Sequence, residues 1–153
     1  MNVKAIKILL VEDNPDHIEL TLRALKGNRV VNGIYVVKDG QQALDYMYRR
    51  GEYSDKSKAP RPGLILLDVK LPKMDGFEVL RQLKKDPDLK SIPIIMLTTS
   101  SREEEVAKGY TEGANSYVTK PVNFSEFVQK IKDIQLYWAI TNTLPPKNEV
   151  REV

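Results

Sequence analysis

The sequence predicts an α/β protein with a doubly wound, parallel five-stranded sheet, five βα units in the strand order 2-1-3-4-5. Two observations carry this. Short, almost unbroken apolar runs alternate with segments whose apolar residues recur every three or four positions, as buried strands and amphipathic helices do. Two of the runs also deliver carboxylates to their own ends, Glu12-Asp13 after the first and Asp68 after Leu64-Ile65-Leu66-Leu67. A carboxylate inside a buried strand is costly, so these groups belong at the open carboxyl edge of the sheet, where such sheets bind ligands.

The elements follow in order. Ile6-Lys7-Ile8-Leu9-Leu10-Val11 is the first strand, and Ile18, Leu22 and Leu25 mark a helix after Asn14-Pro15-Asp16. Gly33-Ile34-Tyr35-Val36-Val37 is rich in strand formers, Asp39-Gly40 signals a turn, and Ala43, Leu44, Met47 and Tyr48 stripe the second helix. Residues 51–62 read as a flexible loop. Beyond Asp68, Pro72 stops the strand, Asp75 is an N-cap, and Phe77, Leu80 and Leu83 stripe a helix that ends before Pro87. Ile92-Pro93-Ile94-Ile95-Met96-Leu97 runs into Thr98-Thr99-Ser100-Ser101, and Glu103-Glu104-Glu105 opens a fourth helix in which a serine is the expected cap. Ser116-Tyr117-Val118-Thr119 is the fifth strand, followed by Lys120-Pro121 and a last helix striped by Phe124, Phe127, Val128, Ile131 and Trp138. Right-handed crossovers give the flavodoxin-like order, in which the winding reverses between strands 1 and 3 and brings Glu12, Asp13 and Asp68 together. The folded domain is expected over residues 1–140, with a loose tail over 141–153.

At 153 residues and 41% hydrophobic, the chain fits one domain with a sizeable core and leaves no room for a second. It has no cysteine, which excludes disulfides, thiolate metal sites and cysteine nucleophiles. No stretch approaches the roughly 20 apolar residues of a membrane span, so a soluble, cytoplasmic protein without membrane association is expected. The net charge of +3 is mild. Residues 49–62 hold five basic residues against two acidic ones, so the excess belongs to one loop and no nucleic-acid binding is expected.

Three carboxylates on one edge repel one another unless a hard divalent cation lies between them, and Mg²⁺ is the natural occupant. It takes one or two carboxylates, keeps waters and bridges to phosphate oxygens. Thr98 and Lys120, at the ends of strands 4 and 5, would add a hydroxyl and an ammonium. Such a set suits phosphoryl transfer to Asp68.

This pattern resembles the CheY-like receiver domain of two-component response regulators over roughly residues 5 to 138. Thr98, Tyr117 and Lys120 follow Asp68 by 30, 49 and 52 positions, the spacing that chemotaxis receivers show between phosphoacceptor, switch hydroxyl, switch aromatic and lysine. The resemblance implies that Asp68 accepts phosphate from a histidine kinase or a phosphotransfer protein. It also implies that Asp13 binds Mg²⁺ directly, Glu12 binds it through water, and the Lys70 backbone carbonyl completes the ligands. Thr98 and Lys120 would bind phosphoryl oxygens, Thr98 and Tyr117 would be the switch pair, and the Lys120–Pro121 peptide would be cis. Glu12 stands where many receivers carry Asp, while Lys70 and Ser100 occupy positions that tune dephosphorylation. The long loop before strand 3, Leu71-Pro72-Lys73-Met74-Asp75-Gly76, and Tyr137-Trp138 followed by Leu144-Pro145 look like the single-domain receivers that partner bacterial phytochromes.

The expected function is a stand-alone phospho-switch in a phosphorelay, not an enzyme with an external substrate. The alternative is a Mg²⁺-dependent phosphohydrolase with an aspartyl nucleophile. Such enzymes usually carry an acid/base Asp two residues on, where this chain has Lys70. A flavin carrier of the same fold would need a hydroxyl-rich phosphate loop where Glu12-Asp13 stands. His17, the single histidine, is expected to face solvent on the first helix and has no assigned role. Leu136, Tyr137, Trp138 and Ile140 are more apolar surface than one core-facing stripe buries, which points to a homodimer through helix 4, strand 5 and helix 5.

Overall fold

The structure is a computed structural model that describes residues 5–26, 31–99, 102, 105, 106, 108, 113, 114 and 116–141, with side chains in the last helix as far as Asp133. Of the segment expected to form a helix from Glu103, Glu105, Val106 and Lys108 are described; the side chains of the apolar cluster from Leu136 to Ile140 and the tail beyond Thr141 lie outside the described residues.

Five strands, β1 (Ile6–Val11), β2 (Val31–Val37), β3 (Leu64–Asp68), β4 (Ile94–Thr98) and β5 (Ser116–Thr119), form one sheet in the order β2-β1-β3-β4-β5. Every pairing is parallel, as the expected order requires. The described helices are α1 (Pro15–Leu25), α2 (Gly40–Tyr48), α3 (Gly76–Lys85) and α4 (Phe124–Thr141). Among the described residues, no helix is long and apolar enough to cross a membrane.

Alternation along the strands divides the core into two layers. Leu9, Val11, Ile65, Leu67 and Met96 point to the face covered by α2 and α3, where Ala43, Met47, Phe77, Val79, Leu80 and Leu83 meet them. Ile8, Leu10, Leu64, Leu66, Ile95, Leu97 and Val118 point to the opposite face, against Leu25 of α1 and Phe127 and Ile131 of α4. Both faces are covered, so β3 and β4 are buried at every position and read as unbroken apolar runs.

Three local expectations change. β2 begins at Val31 rather than Gly33, and its pairing with β1 shifts register between Ile6 and Ile8, close to Gly33 at a φ of 127°. β4 begins at Ile94 rather than Ile92, because Pro93 has no N–H for the ladder and contributes only its carbonyl, which accepts from the Ile65 N–H at 3.0 Å. The loop over 51–62 is latched rather than flexible. The Tyr46 hydroxyl donates to the Pro60 carbonyl at 2.8 Å, Arg61 donates to the Met47 carbonyl at 2.7 Å, and Arg49 donates to the Ala59 carbonyl at 3.3 Å. Tyr53 packs on Tyr46 with ring centroids 5.3 Å apart, and Ala59 of the loop is buried in the core.

Candidate functional site

Strand register builds the site. Val11 pairs with Leu67, so Glu12 and Asp68, one residue further along each strand, emerge side by side at the carboxyl edge. Asp68 pairs with Leu97 and Thr98 with Thr119, which brings Thr98 and Lys120 to the same edge. The Lys120 N–H donates to the Thr98 carbonyl at 2.7 Å, and the Lys120–Pro121 peptide is cis.

Two turns hold the strand ends open. After β1, the Asn14 side chain caps α1, accepting from the N–H groups of Asp16 at 2.8 Å and His17 at 3.2 Å, with Pro15 in the first helical position. The Asn14 N–H in turn donates to Glu12 Oε2 at 3.2 Å. After β3, the Lys70 N–H donates to Asp68 Oδ1 at 3.2 Å, and the Gly76 N–H donates to the Val69 carbonyl at 2.9 Å. Asp75 caps α3, as its position before the apolar stripe predicts.

Glu12 is fully buried and Asp68 is 5% exposed, whereas Asp13 is exposed. The three can each offer a carboxylate oxygen within 4.8 Å of the others. The Lys120 ammonium lies 2.9 Å from Asp68 Oδ2 and 2.7 Å from Glu12 Oε1. Burial pushes the Asp68 carboxyl up to about 6; the Lys120 ammonium opposes that rise and the adjoining Glu12 adds to it. Burial alone would lower the pKa of Lys120, but its hydrogen bonds to Glu12 and Asp68 outweigh that and hold it above the usual lysine range.

These groups line a cleft of about 190 Å³ with Asn14, His17, Lys70 and Thr98 on its walls. Three carboxylates against one buried ammonium leave it a formal charge of −2 and offer only hard oxygen donors, a set that fits a divalent cation of the Mg²⁺ or Mn²⁺ class. Thr98 is buried, and its hydroxyl donates to Glu105 Oε2 at 3.4 Å. Thr98 and Tyr117 share a narrow cavity of about 10 Å³ walled by Val69, Met96 and Ala114. The Tyr117 ring is half-buried and lies 5.6 Å from Lys130 Nζ. Lys70 is exposed and also lines the cleft.

One site residue contradicts its expected place. His17 is not a solvent-facing bystander: Nδ1 lies 2.9 Å from Lys120 Nζ and 3.9 Å from Glu12 Oε2. No local sequence signal marks it, since the partner that brings it into the cleft is 103 residues away.

Known response regulators resemble this chain over most of their length. Response regulator Rcp1 of Synechocystis sp. is 41% identical over 138 residues, covering 90% of this chain and 92% of Rcp1. The crystal structure of the Mn(2+)-bound form of Rcp1 matches with a TM-score of 0.71 at 40% identity, covering 92% of this chain and 99% of that one. The bacteriophytochrome response regulator RtBRR matches with a TM-score of 0.77 at 47% identity, over 93% of this chain and 85% of RtBRR. The phosphorylated cyanobacterial phytochrome response regulator RcpA matches with a TM-score of 0.72 at 44% identity, over 92% of this chain and 99% of RcpA. Residues 8–132 match the family described as the response regulator receiver domain, from within β1 to within α4. The sheet order, the carboxyl-edge cleft and the near full-length relatives agree, and the chain belongs to the response regulator receiver domain family of phosphorelay signalling.

Proposed function

We propose that Asp68 takes a phosphoryl group from the phosphohistidine of a histidine kinase, or of a phosphotransfer protein. The observation that carries this reading is the Lys120 ammonium 2.9 Å from Asp68 Oδ2, inside a cleft where three carboxylates meet. An Asp68 oxygen attacks phosphorus as the P–N bond of the donor breaks; the imidazole leaves with the bonding pair and regains its proton from solvent. The carboxylates of Glu12, Asp13 and Asp68 and the Lys70 backbone carbonyl are the groups that would hold Mg²⁺. Bound there, the cation supplies charge neutralisation for the phosphoryl oxygens. The Lys120 ammonium and the Thr98 hydroxyl take the remaining phosphoryl oxygens, and Thr98 and Tyr117 relay the change to the surface. The Mn(2+)-bound form of Rcp1 and phosphorylated RcpA support the cation and the phosphoryl group, and the phytochrome names of RtBRR and RcpA support a phytochrome-type kinase.

In this reading the chain catalyses only its own phosphorylation and dephosphorylation. Residues 1–140 are the receiver and 141–153 a tail of a cytoplasmic protein that binds neither nucleic acid nor membrane. Output runs through a homodimer that uses β5, α4 and the segment between β4 and β5, supported by the apolar residues Leu136, Tyr137, Trp138 and Ile140 in sequence.

Intact mass measurement after incubation with acetyl phosphate and Mg²⁺ tests the assignment. One phosphate on the wild-type protein, none on Asp68→Asn and none in EDTA is the expected result. Full labelling of the Asn variant overturns it. Sedimentation before and after beryllofluoride treatment tests the dimer, and a monomer in both states rules it out.

A further inference from the structure

We infer that His17 is a positioning residue that holds the Lys120 ammonium over Asp68. The inference rests on the reading of Asp68 as phosphoacceptor and adds a residue to it. A lysine ammonium has three donors and no acceptor. In the cleft those three donors meet three acceptors: Glu12 Oε1 at 2.7 Å, Asp68 Oδ2 at 2.9 Å and His17 Nδ1 at 2.9 Å. Because Lys120 can only donate, Nδ1 receives with its lone pair, and the imidazole is the neutral tautomer with its proton on Nε2.

The three acceptors differ in kind. Glu12 and Asp68 are carboxylates in the cleft itself, where a cation or a phosphoryl group would compete with Lys120 for their charge. His17 is neutral and lies on the outer wall, its side chain 33% exposed against 6% for Lys120 and none for Glu12. It is the one partner that remains with the ammonium while the carboxylates are engaged. Its own position is set by the Asn14 cap on its backbone N–H, and Asn14 is fastened to Glu12, so one turn places both His17 and Glu12. Without this acceptor the four-carbon stem of Lys120 regains rotamers that point the charge away from Asp68.

The test uses the full chain, with acetyl phosphate as donor at saturating Mg²⁺, and the variants His17→Ala and His17→Asn. The Asn side-chain oxygen occupies about the place of Nδ1 and preserves the acceptor. His17→Ala is expected to slow phosphorylation about tenfold, near the lower end of what a hydrogen bond from a charged donor is worth, and His17→Asn to restore most of the rate. The ¹H–¹⁵N signal of the Lys120 ammonium, slow to exchange when all three donors are held, gives a second reading in the unphosphorylated protein. It should be present in the wild type and the Asn variant and lost in the Ala variant. A wild-type rate in His17→Ala, an ammonium signal that survives there, or an Asn variant no faster than Ala overturns the role of His17. If the wild-type protein takes no phosphate while the ammonium signal behaves as stated, the reading of Asp68 fails and the His17–Lys120 contact stands.

Discussion

Gly76 lies against the backbone of Asp68 with no space for a side chain. A Cβ at Gly76 would overlap the Asp68 carbonyl oxygen and stand 3.0 Å from both the Asp68 carbonyl carbon and Val69 Cα. The first residue of α3 is thus seated directly on the end of β3, and its N–H donates to the Val69 carbonyl at 2.9 Å. A single methyl group has to drive the helix and the strand end apart. We expect Gly76→Ala to cost about 2–3 kcal/mol in urea unfolding and to slow phosphorylation, because the Asp68 carboxylate moves with its backbone. Wild-type values for both would show that the helix can pivot without disturbing the site.

The pH dependence of stability follows from Asp68. Its carboxyl is raised from 3.8 to about 6, chiefly by burial, so between those values the folded protein binds more protons than the unfolded chain. The stabilisation from protonated Asp68 is complete below 3.8 and is lost as pH rises through about 6. Asp68→Asn cannot ionise and escapes this loss. In chelator, its stability relative to wild type should grow by on the order of 2–3 kcal/mol between pH 4 and pH 7, read from urea midpoints. A gap that stays flat across that range would contradict the burial of the charge.

Tyr46 is the hub of the loop latch. It is 2% exposed, packs against Tyr53 and Tyr35, and donates its hydroxyl to Pro60. Burial pushes its pKa up to about 12. Tyr46→Phe removes the donor while keeping the ring, and should cost about 1–2 kcal/mol. Tryptic cutting after Lys56 and Lys58 should quicken in the variant. Unchanged cutting would place the hold on the loop in Arg61 and Arg49 instead.

What could be read from the residues and what could not divide along the distance of the contact. The strands were legible because a sheet covered on both faces forces unbroken apolar runs such as Leu64-Ile65-Leu66-Leu67, and the Asp75 cap because it acts three residues along its own chain. Glu12, Asp13 and Asp68 were legible as a group because strand order alone brings the ends of β1 and β3 together. His17 was not, since its partner Lys120 is 103 residues away and nothing local distinguishes it from a surface histidine. The latch over 51–62 was hidden for a related reason. Its basic composition reads as solvated, while the side chains that hold it donate to backbone carbonyls, which carry no residue signature. The start of β2 was missed because Asn32 and Gly33 are poor strand formers that pairing with β1 overrides.

Glu12 and Asp13 are adjacent, yet the structure gives them different burdens. Glu12 is buried, holds Lys120 through Oε1 and takes the Asn14 N–H through Oε2, so both of its oxygens are already engaged. Asp13 is exposed at the mouth of the cleft, and no described residue donates a hydrogen bond to its carboxylate. Asp13→Ala should therefore weaken Mg²⁺ binding by about tenfold or more while leaving the urea midpoint of the metal-free protein within about 0.5 kcal/mol of wild type. Glu12→Ala should do the reverse in stability, costing about 2–4 kcal/mol, because it strips one partner from a buried ammonium and opens a void at the end of β1. It should weaken Mg²⁺ binding less than Asp13→Ala does, since both Glu12 oxygens are already held by Lys120 and the Asn14 N–H. Equal losses of Mg²⁺ affinity in the two variants would mean that Glu12 leaves Lys120 and binds the cation directly.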